Sequence, residues 1–362
     1  MHLGRNIITL CPENKNRMPA LHESVKKLIS HSIMSKNLIH WGILGCGGIA
    51  NTFAADLRHS QCGRLAAVSS RSKRKANAFA RKHNAPVAYG SYEELVRDAD
   101  IDVVYVATPH PMHMEHSLLA IRAGKAVLCE KPAAMNARQL RRMIKAAEKN
   151  SVFLMEGMWS RFFPATVQLR KWLSEKRIGR VLALEADFGV NFKAGPKHRI
   201  NNPALGGGAL LDLGIYLVSF ASMVYTKQPE VIVSVVHKGK TGVDDQTSMI
   251  FQYDHGATAM LSCSSRVEIK TEARIYGTKG MITAGPIFYR PQTLTLQLQD
   301  HKPKTVHFSH SGNGFQFEAD HIAKCLQKKK PQSDLMPLQE SLSTLTTMDK
   351  IRKQWKLKYS NE

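Results

Sequence analysis

One apolar segment limits what this chain can fold into more than any other feature. Ile39-His40-Trp41-Gly42-Ile43-Leu44 runs straight into Gly45-Cys46-Gly47-Gly48-Ile49-Ala50. Beyond the glycines, Ile49, Ala50, Phe53, Ala54 and Leu57 fall at helical spacing. Strand, glycine turn and helix in that order open a βαβ unit, and the chain keeps the rhythm. Residues 64–70 read as a second buried strand, Val103–Ala107 as a third, Ala126–Cys129 as a fourth and Val152–Met155 as a fifth. Helices are expected near 112–122 and 136–149, with a very basic one after Ser70. This alternation predicts an α/β domain built on a doubly wound parallel sheet.

The rhythm then changes. Residues 181–192 and 230–310 are rich in Val, Thr, Ile, Tyr and Gly with period-two alternation, separated by turns such as Asp254-His255-Gly256 and Gly277-Thr278-Lys279-Gly280. They predict a second, α+β domain with a mostly antiparallel sheet. A helix through about residue 225 follows Gly206-Gly207-Gly208, and the tail from Phe315 returns to helix, broken at Lys328-Lys329-Lys330-Pro331. The 362 residues accommodate two cores. The expected division is an N-terminal extension over 1–38, a dinucleotide-binding domain over 39–158 and a second domain over 159–362. The helices of 315–362 should pack back toward the first domain. Met34, just before the first strand, suggests that the extension is dispensable and poorly ordered, or an over-long start.

Charge excludes less than it suggests. The net charge is +22, but the excess is spread along the chain. No helix-turn-helix, RNP or zinc pattern accompanies it, so no specific nucleic-acid partner is expected. No apolar run reads as the roughly 20 residues that cross a bilayer, so no membrane partner is expected. The six cysteines are scattered, without a CxxC pair or a His cluster at metal spacing. They read as reduced thiols of a cytoplasmic protein that needs no metal.

The glycine turn carries a chemistry. Gly45 permits a tight turn, Gly47 lets backbone approach a pyrophosphate, and Ala50 allows close packing of helix on strand. The free N–H groups of Gly48, Ile49 and their neighbours at the helix start suit phosphates. Cofactor choice rests on the end of the second strand, where an acid would mark NAD. Here the sequence is Ser69-Ser70-Arg71-Ser72-Lys73-Arg74-Lys75, with no acid. Ser70, Arg71 and Lys75, the last two about one helical turn apart, favour the 2′-phosphate of NADP over NAD.

Lys131, ahead of Pro132, ends an apolar strand at the sheet edge where such folds bind ligands. The strand end Glu130 and the loop Thr108-Pro109-His110-Pro111-Met112-His113 belong to the same edge, so Thr108, Pro109, His110 and His113 are candidate cofactor contacts.

Together, Gly-Cys-Gly-Gly-Ile-Ala, the Thr108–His113 loop and Glu130-Lys131-Pro132 resemble the Gfo/Idh/MocA oxidoreductase family. Met155-Glu156-Gly157-Met158-Trp159-Ser160-Arg161-Phe162-Phe163-Pro164 and the stretch Gly206–Tyr216 are similar to its dimeric dihydrodiol dehydrogenase / NADP-dependent D-xylose dehydrogenase branch. The likeness runs from about residue 39 to the end. It implies a Rossmann domain followed by an open-faced sheet that often pairs two subunits, hence a homodimer, with 159–362 as the substrate and dimerisation domain. It also implies an active site containing Lys131, Asp212 and Tyr216, substrate contacts at Trp159 and Phe188, and a cis Lys131–Pro132 peptide. Arg161 is a candidate for substrate or for the domain junction, with the junction favoured.

Asp212 and Tyr216 are four apart, so on a helix they share a face. A neighbouring ammonium and the nicotinamide charge would favour the phenolate of Tyr216, making it a base for an alcohol proton as hydride leaves. Lys131 would bind the same oxygen, or itself supply the proton. Asp212 would hold Lys131 or a substrate hydroxyl, or else orient the helix start. The expected activity is NADP-dependent hydride transfer to or from a secondary alcohol or carbonyl of a sugar, polyol or cyclic diol. The alternative is a non-catalytic NADP sensor of the same fold. Substrate identity is set by loops such as 190–205, which the sequence does not resolve.

Overall fold

Six parallel strands form the first sheet: β1 (Ile39–Leu44), β2 (Gly63–Ser69), β3 (Val87–Tyr89), β4 (Val103–Val106), β5 (Ala126–Glu130) and β6 (Leu154–Gly157). Their order is β3-β2-β1-β4-β5-β6, taken from a computed structural model that describes residues 38–360 and 362. The extension expected over residues 1–38 therefore lies, but for Leu38, outside the described residues. Strands β4 and β5 are buried at every position, as parallel strands covered on both faces must be. Helices α1 (Gly48–Leu57), α2 (Lys73–His83), α3 (Tyr92–Arg97), α4 (His113–Arg122) and α5 (Ala137–Asn150) connect them. Asn136 caps the last of these, its side chain accepting from Gln139 N–H.

The chain moves outward in one direction from β1 through β2 and β3, then restarts at β4 on the other side of β1. That reversal opens a crevice at the carboxyl ends of β1 and β4, the place where doubly wound sheets hold ligands.

The second sheet has eight strands: β7 (Val181–Gly189), β8 (Val231–Lys238), β9 (Asp244–Gln252), β10 (Thr258–Ser264), β11 (Ala273–Gly277), β12 (Gly280–Gly285), β13 (Thr293–Leu298) and β14 (Lys304–His307). They run in the order β14-β13-β12-β11-β7-β10-β9-β8. Only β7 and β10 pair in parallel; the other neighbours are antiparallel. After α6 (Pro164–Ser174), helix α7 (Ile215–Tyr225) packs on β7 and β10. Elsewhere the sheet leaves Val231, Val233, Val235, Ile250 and Met260 exposed. The tail supplies α8 (Phe315–Gln327), which lies against α1, and α9 (Leu338–Gln354), which lies against α5 and α7.

Three sequence expectations are corrected. The short edge strand β3 and helix α3 were not anticipated, because three half-exposed residues give no apolar run. Arg71 stands outside the basic helix: Ser72 caps it, accepting from Lys75 N–H, so Arg71 and Lys75 are not on one helical face. Finally, Pro203–Tyr225, with a mean hydropathy of 1.6 over its apolar window, is long and apolar enough to cross a bilayer by length and composition. That window is 94% buried inside the protein, which is what a core helix between two layers requires.

Candidate active site

The first wall of the crevice is the turn that leaves β1. Gly45 takes φ +105, and a Cβ there would stand 3.0 Å from the Ala107 carbonyl oxygen; only glycine suits that turn. At Gly47 and Gly48 an added Cβ would meet nothing within 4 Å, because both face the open cleft. The Cys46 thiol bonds the Ser69 carbonyl oxygen, and burial pushes its pKa up to about 11. It is no nucleophile at neutral pH. Ala50 is fully buried against the sheet.

The loop after β4 brings Thr108, Pro109 and His110 to the cleft wall. The His110 ring donates from Nδ1 to the Gly206 carbonyl oxygen at 3.2 Å, and burial with the neighbouring His113 pulls its pKa down to about 3. His110 is therefore a neutral donor. The His113 ring nitrogens lie 2.7 Å from the carbonyl oxygens of Thr108 and Pro132. Burial pulls its pKa down to about 4 against the pull of those two acceptors. Fully buried, His113 ties the β4 loop to the turn after β5 and acts as a strut.

Lys131 emerges from that turn, with a cis peptide to Pro132. Its ammonium donates to the Asp212 carbonyl oxygen at 2.8 Å and to Asp212 Oδ1 at 3.2 Å. It also stands 4.8 Å from the centre of the Tyr216 ring. Burial alone would raise the Asp212 pKa, but Lys131 and Arg199 hold its carboxyl well below the usual carboxylate range. Arg199 reaches Asp212 Oδ2 at 2.9 Å. Asp212 lies in a π-helical turn, Leu210–Gly214, that leads into α7. The three glycines before it matter for packing. A Cβ on Gly207 would come 2.6 Å from the Arg199 carbonyl oxygen, and one on Gly208 2.3 Å from Asp244 Oδ1. Their absence of side chains lets the Arg199 loop close on Asp212.

Tyr216 accepts a 2.7 Å hydrogen bond from Trp159 Nε1. Burial, then the charge of Glu130, pushes its pKa well above the usual tyrosine value. With the nearby ammonium shared with Asp212, the packing favours the neutral hydroxyl; the phenolate expected from the sequence relied in addition on the charge of a nicotinamide beside it. Burial also pushes the Glu130 carboxyl up to about 7, against the hydrogen bond it accepts from the Tyr105 hydroxyl and the nearby Lys131. Trp159 stacks on Phe315, centroids 4.4 Å apart and planes 6° apart.

Gly47, Gly48, Ile49, the β4 loop, Glu130, Lys131, Trp159, Asp212 and Tyr216 thus line one cleft of about 630 Å³. Ser70, Arg71 and Lys75 sit apart from it, beyond β2. There Ser70 Oγ accepts from Ser72 N–H, and Arg71 and Lys75 are exposed. No carboxylate pairs with either cation among the described residues. Phe188 is behind the wall, stacked on Tyr289 with centroids 4.5 Å apart. Arg161 is outside the cleft: its guanidinium donates to the Ser219 carbonyl oxygen at 2.7 Å and to Glu340 Oε1 at 2.5 Å. It joins α7 to α9.

Sequence reasoning missed Arg199, Tyr289, Arg290, Asn313 and Phe315, all of which line the cleft. Asn313, Gly314 and Phe315 are held there by Asp56 on α1, whose buried carboxylate accepts all three of their backbone N–H groups at 2.8–3.1 Å. The loop aromatics Tyr289 and Phe315, each close behind a glycine, were the available signal.

Known proteins resemble this chain in sequence and in fold. Residues 39–158 match the Gfo/Idh/MocA oxidoreductase family, NAD-binding Rossmann fold, and residues 166–283 match the Gfo/Idh/MocA C-terminal domain. The chain is 40% identical over 328 residues to trans-1,2-dihydrobenzene-1,2-diol dehydrogenase of Xenopus tropicalis, spanning 88% of this chain and 98% of that protein. It is 39% identical over 325 residues to the Homo sapiens protein of the same name, spanning 87% and 96%. Among solved structures, aldose-aldose oxidoreductase from Caulobacter crescentus superimposes with a TM-score of 0.80 at 27% identity, covering 87% of this chain and 97% of that one. A 3-ketoreductase from Actinomadura kijaniata, in complex with NADP, gives 0.78 at 25% identity, covering 88% and 98%. With the glycine turn, the lysine at the sheet edge and this likeness over nearly the full length of its relatives, the chain belongs to the Gfo/Idh/MocA oxidoreductases and is a dehydrogenase acting on CH–OH groups.

Proposed function

We propose that the protein is an NADP-dependent oxidoreductase that interconverts a secondary alcohol and its carbonyl in a sugar, polyol or cyclic diol. The observation that carries this reading is the buried constellation of Lys131, Asp212, Tyr216 and Trp159 at the mouth of the β1–β4 crevice. The residues present fit a dinucleotide: a side chain at Gly47 or Gly48 would project into the cleft, and the start of α1 offers free N–H groups. Gly47, Gly48 and Ile49 would hold the pyrophosphate. Ser70, Arg71 and Lys75 would hold a 2′-phosphate, for which the exposed, uncompensated cations supply the charge. The relatives' names, a diol dehydrogenase and an aldose oxidoreductase, support the substrate class.

When bound, the nicotinamide gives or takes the hydride. Lys131, fixed by Asp212 on one side, offers its remaining donor capacity to the substrate oxygen and stabilises charge gathering there. Tyr216, protonated and fixed by Trp159, gives its proton to that oxygen during carbonyl reduction and takes it back during alcohol oxidation. Arg199 keeps Asp212 ionised and in place. Trp159, Tyr289 and Phe315 form apolar walls that suit the face of a ring.

The test is turnover of Tyr216→Phe with NADP+ against a panel of aldoses, polyols and cyclic trans-diols. The expected loss in kcat is about 10²–10⁴-fold, with NADPH binding preserved. Full activity in the variant would assign the proton elsewhere. The reading also includes a cytoplasmic homodimer that covers the exposed Val233, Val235, Ile250 and Met260 face. Sedimentation should show a dimer that Val233→Lys converts to monomer; a wild-type monomer would remove this part.

A further inference from the structure

We propose that the end of α8 and the turn after it form a divalent-metal site, with His321 Nε2, Cys325 Sγ and an Asp334 carboxylate oxygen as ligands and zinc-class ions as the occupant. His321 and Cys325 are one helical turn apart on α8, so they project from the same face. Lys328–Gln332 then reverses the chain and returns Asp334 to that face, with Lys329 in the left-handed region. The three candidate ligand atoms all lie within 4.8 Å of one another. Cys325 Sγ is 3.3 Å from His321 Nε2, and Asp334 Oδ1 is 3.6 Å from the same nitrogen. Tetrahedral zinc with bonds of about 2.0–2.3 Å sets its ligand atoms roughly 3.3–3.8 Å apart, so both separations are those of a coordination edge. The group lies toward the C-terminal end of α8, away from Phe315 at its start, and none of its three residues lines the cleft.

The hydrogen bonding within the cluster is crowded in a way a cation would relieve. Ser333 Oγ accepts from Leu335 N–H at 3.1 Å and Met336 N–H at 2.9 Å, so its own proton points to His321 Nε2 at 2.8 Å. The Cys325 thiol approaches the same nitrogen. Two donors thus compete for one imidazole lone pair, and that lone pair is the metal-binding form of histidine. Coordination would take the lone pair and release the Cys325 proton to solvent, with a bond from sulfur to metal replacing the S–H bond.

Charge permits this. Lys324, Lys328 and Lys330 surround the group, and Lys330 holds the other Asp334 oxygen at 2.8 Å. Those cations would repel a bare divalent ion. A thiolate and a carboxylate would cancel its two charges, however; burial and then Asp334 raise the Cys325 thiol against the pull of Lys330 and Lys328, so the ion itself must displace the thiol proton. The sulfur, nitrogen and oxygen donor set suits zinc or cobalt better than magnesium or calcium, which prefer oxygen alone. Asp334 is exposed, which would leave the fourth coordination position open to solvent.

The His321 ring packs 4.9 Å from Phe162, three residues from Trp159, and α8 begins at Phe315 in the cleft wall. A bound ion would therefore pin the far end of a helix whose near end lines the active site. The expected consequence is thermal stabilisation.

The test titrates Co2+ into the chelator-treated, full-length protein and follows the near-ultraviolet thiolate-to-cobalt charge-transfer absorption. One equivalent should bring the band up, Zn2+ should abolish it, and the thermal midpoint should rise with either ion. Cys325→Ser should remove the band. Asp334→Ala should weaken Co2+ at least tenfold, whereas Lys330→Ala, which removes the same surface pair but no ligand, should bind Co2+ at least as tightly as the wild type. A band that survives in Cys325→Ser, or an affinity unchanged in Asp334→Ala, would overturn the site, as would no binding by the wild-type protein.

Discussion

The two ends of the proposed dinucleotide site handle charge in opposite ways. At the Lys131 end, within the cleft, the ammonium is locked between the backbone and side chain of a buried Asp212, which Arg199 holds from the other side. At the Arg71 end, outside the cleft and beyond β2, Arg71 and Lys75 stand exposed without an acid partner among the described residues. Buried charges must be paired to be tolerated at all, so the first group is fixed before any ligand arrives. Exposed cations need no acid partner to be tolerated, and the attraction of these two would serve an incoming phosphate. Chemistry needs preorganisation; cofactor selection needs unspent charge.

That contrast can be broken by unlocking the first end. Asp212→Asn leaves Lys131 without its carboxylate. It should lower kcat about 10- to 100-fold and lower the thermal midpoint, because breaking a buried pair from one side leaves the other charge uncompensated. NADPH affinity should change little. A variant with unaltered kcat would show that Lys131 does not depend on Asp212 for its position.

A smaller effect lies in pH. The Glu130 carboxyl is raised by burial from 4.5 to about 7. Between those values the folded protein keeps a proton that the unfolded chain has lost, so stability falls as pH rises through that window. Asp244, raised by burial from 3.8 to about 7, acts in the same direction. The lowered pKa values of His110 and His113 act oppositely below about pH 6.5, so the readout is the difference between the two proteins: relative to wild type, the midpoint of Glu130→Gln should rise steadily between pH 4.5 and 7. Parallel curves for variant and wild type would place the titration elsewhere. Asp212 works in reverse: its lowered pKa contributes stability above about pH 3.8 that is lost as pH falls further.

Much of this was legible because it is local. The glycine turn, Lys131 ahead of Pro132, and the pair Asp212 and Tyr216 are each encoded within a few residues, and motif and family likeness together predicted their chemistry. Other features depend on distant segments meeting. Arg199, Tyr289 and Phe315 arrive on loops from three separate stretches, and no periodicity links them to β1. Asp56 looks like an ordinary helix acid until the 313–315 backbone closes on it. The burial that raises the tyrosine's pKa is a property of the packed site, which residue spacing does not reveal. Trp159 and Phe188 were expected at the substrate; the first lines the cleft, whereas the second supports Tyr289 from behind.

The most direct test compares NADPH and NADH titrations of Tyr216→Phe with those of the double variant Arg71→Ala/Lys75→Ala, followed by cofactor fluorescence. The account predicts that Tyr216→Phe binds both cofactors within about twofold of the wild type. It also predicts that the double variant loses at least tenfold in NADPH affinity and little in NADH affinity, since each charge-assisted hydrogen bond contributes roughly 1.5–3 kcal/mol. Equal losses for the two cofactors in the double variant, or a large loss in Tyr216→Phe, would contradict the division of the proposed site into a binding end beyond β2 and a chemical end in the cleft.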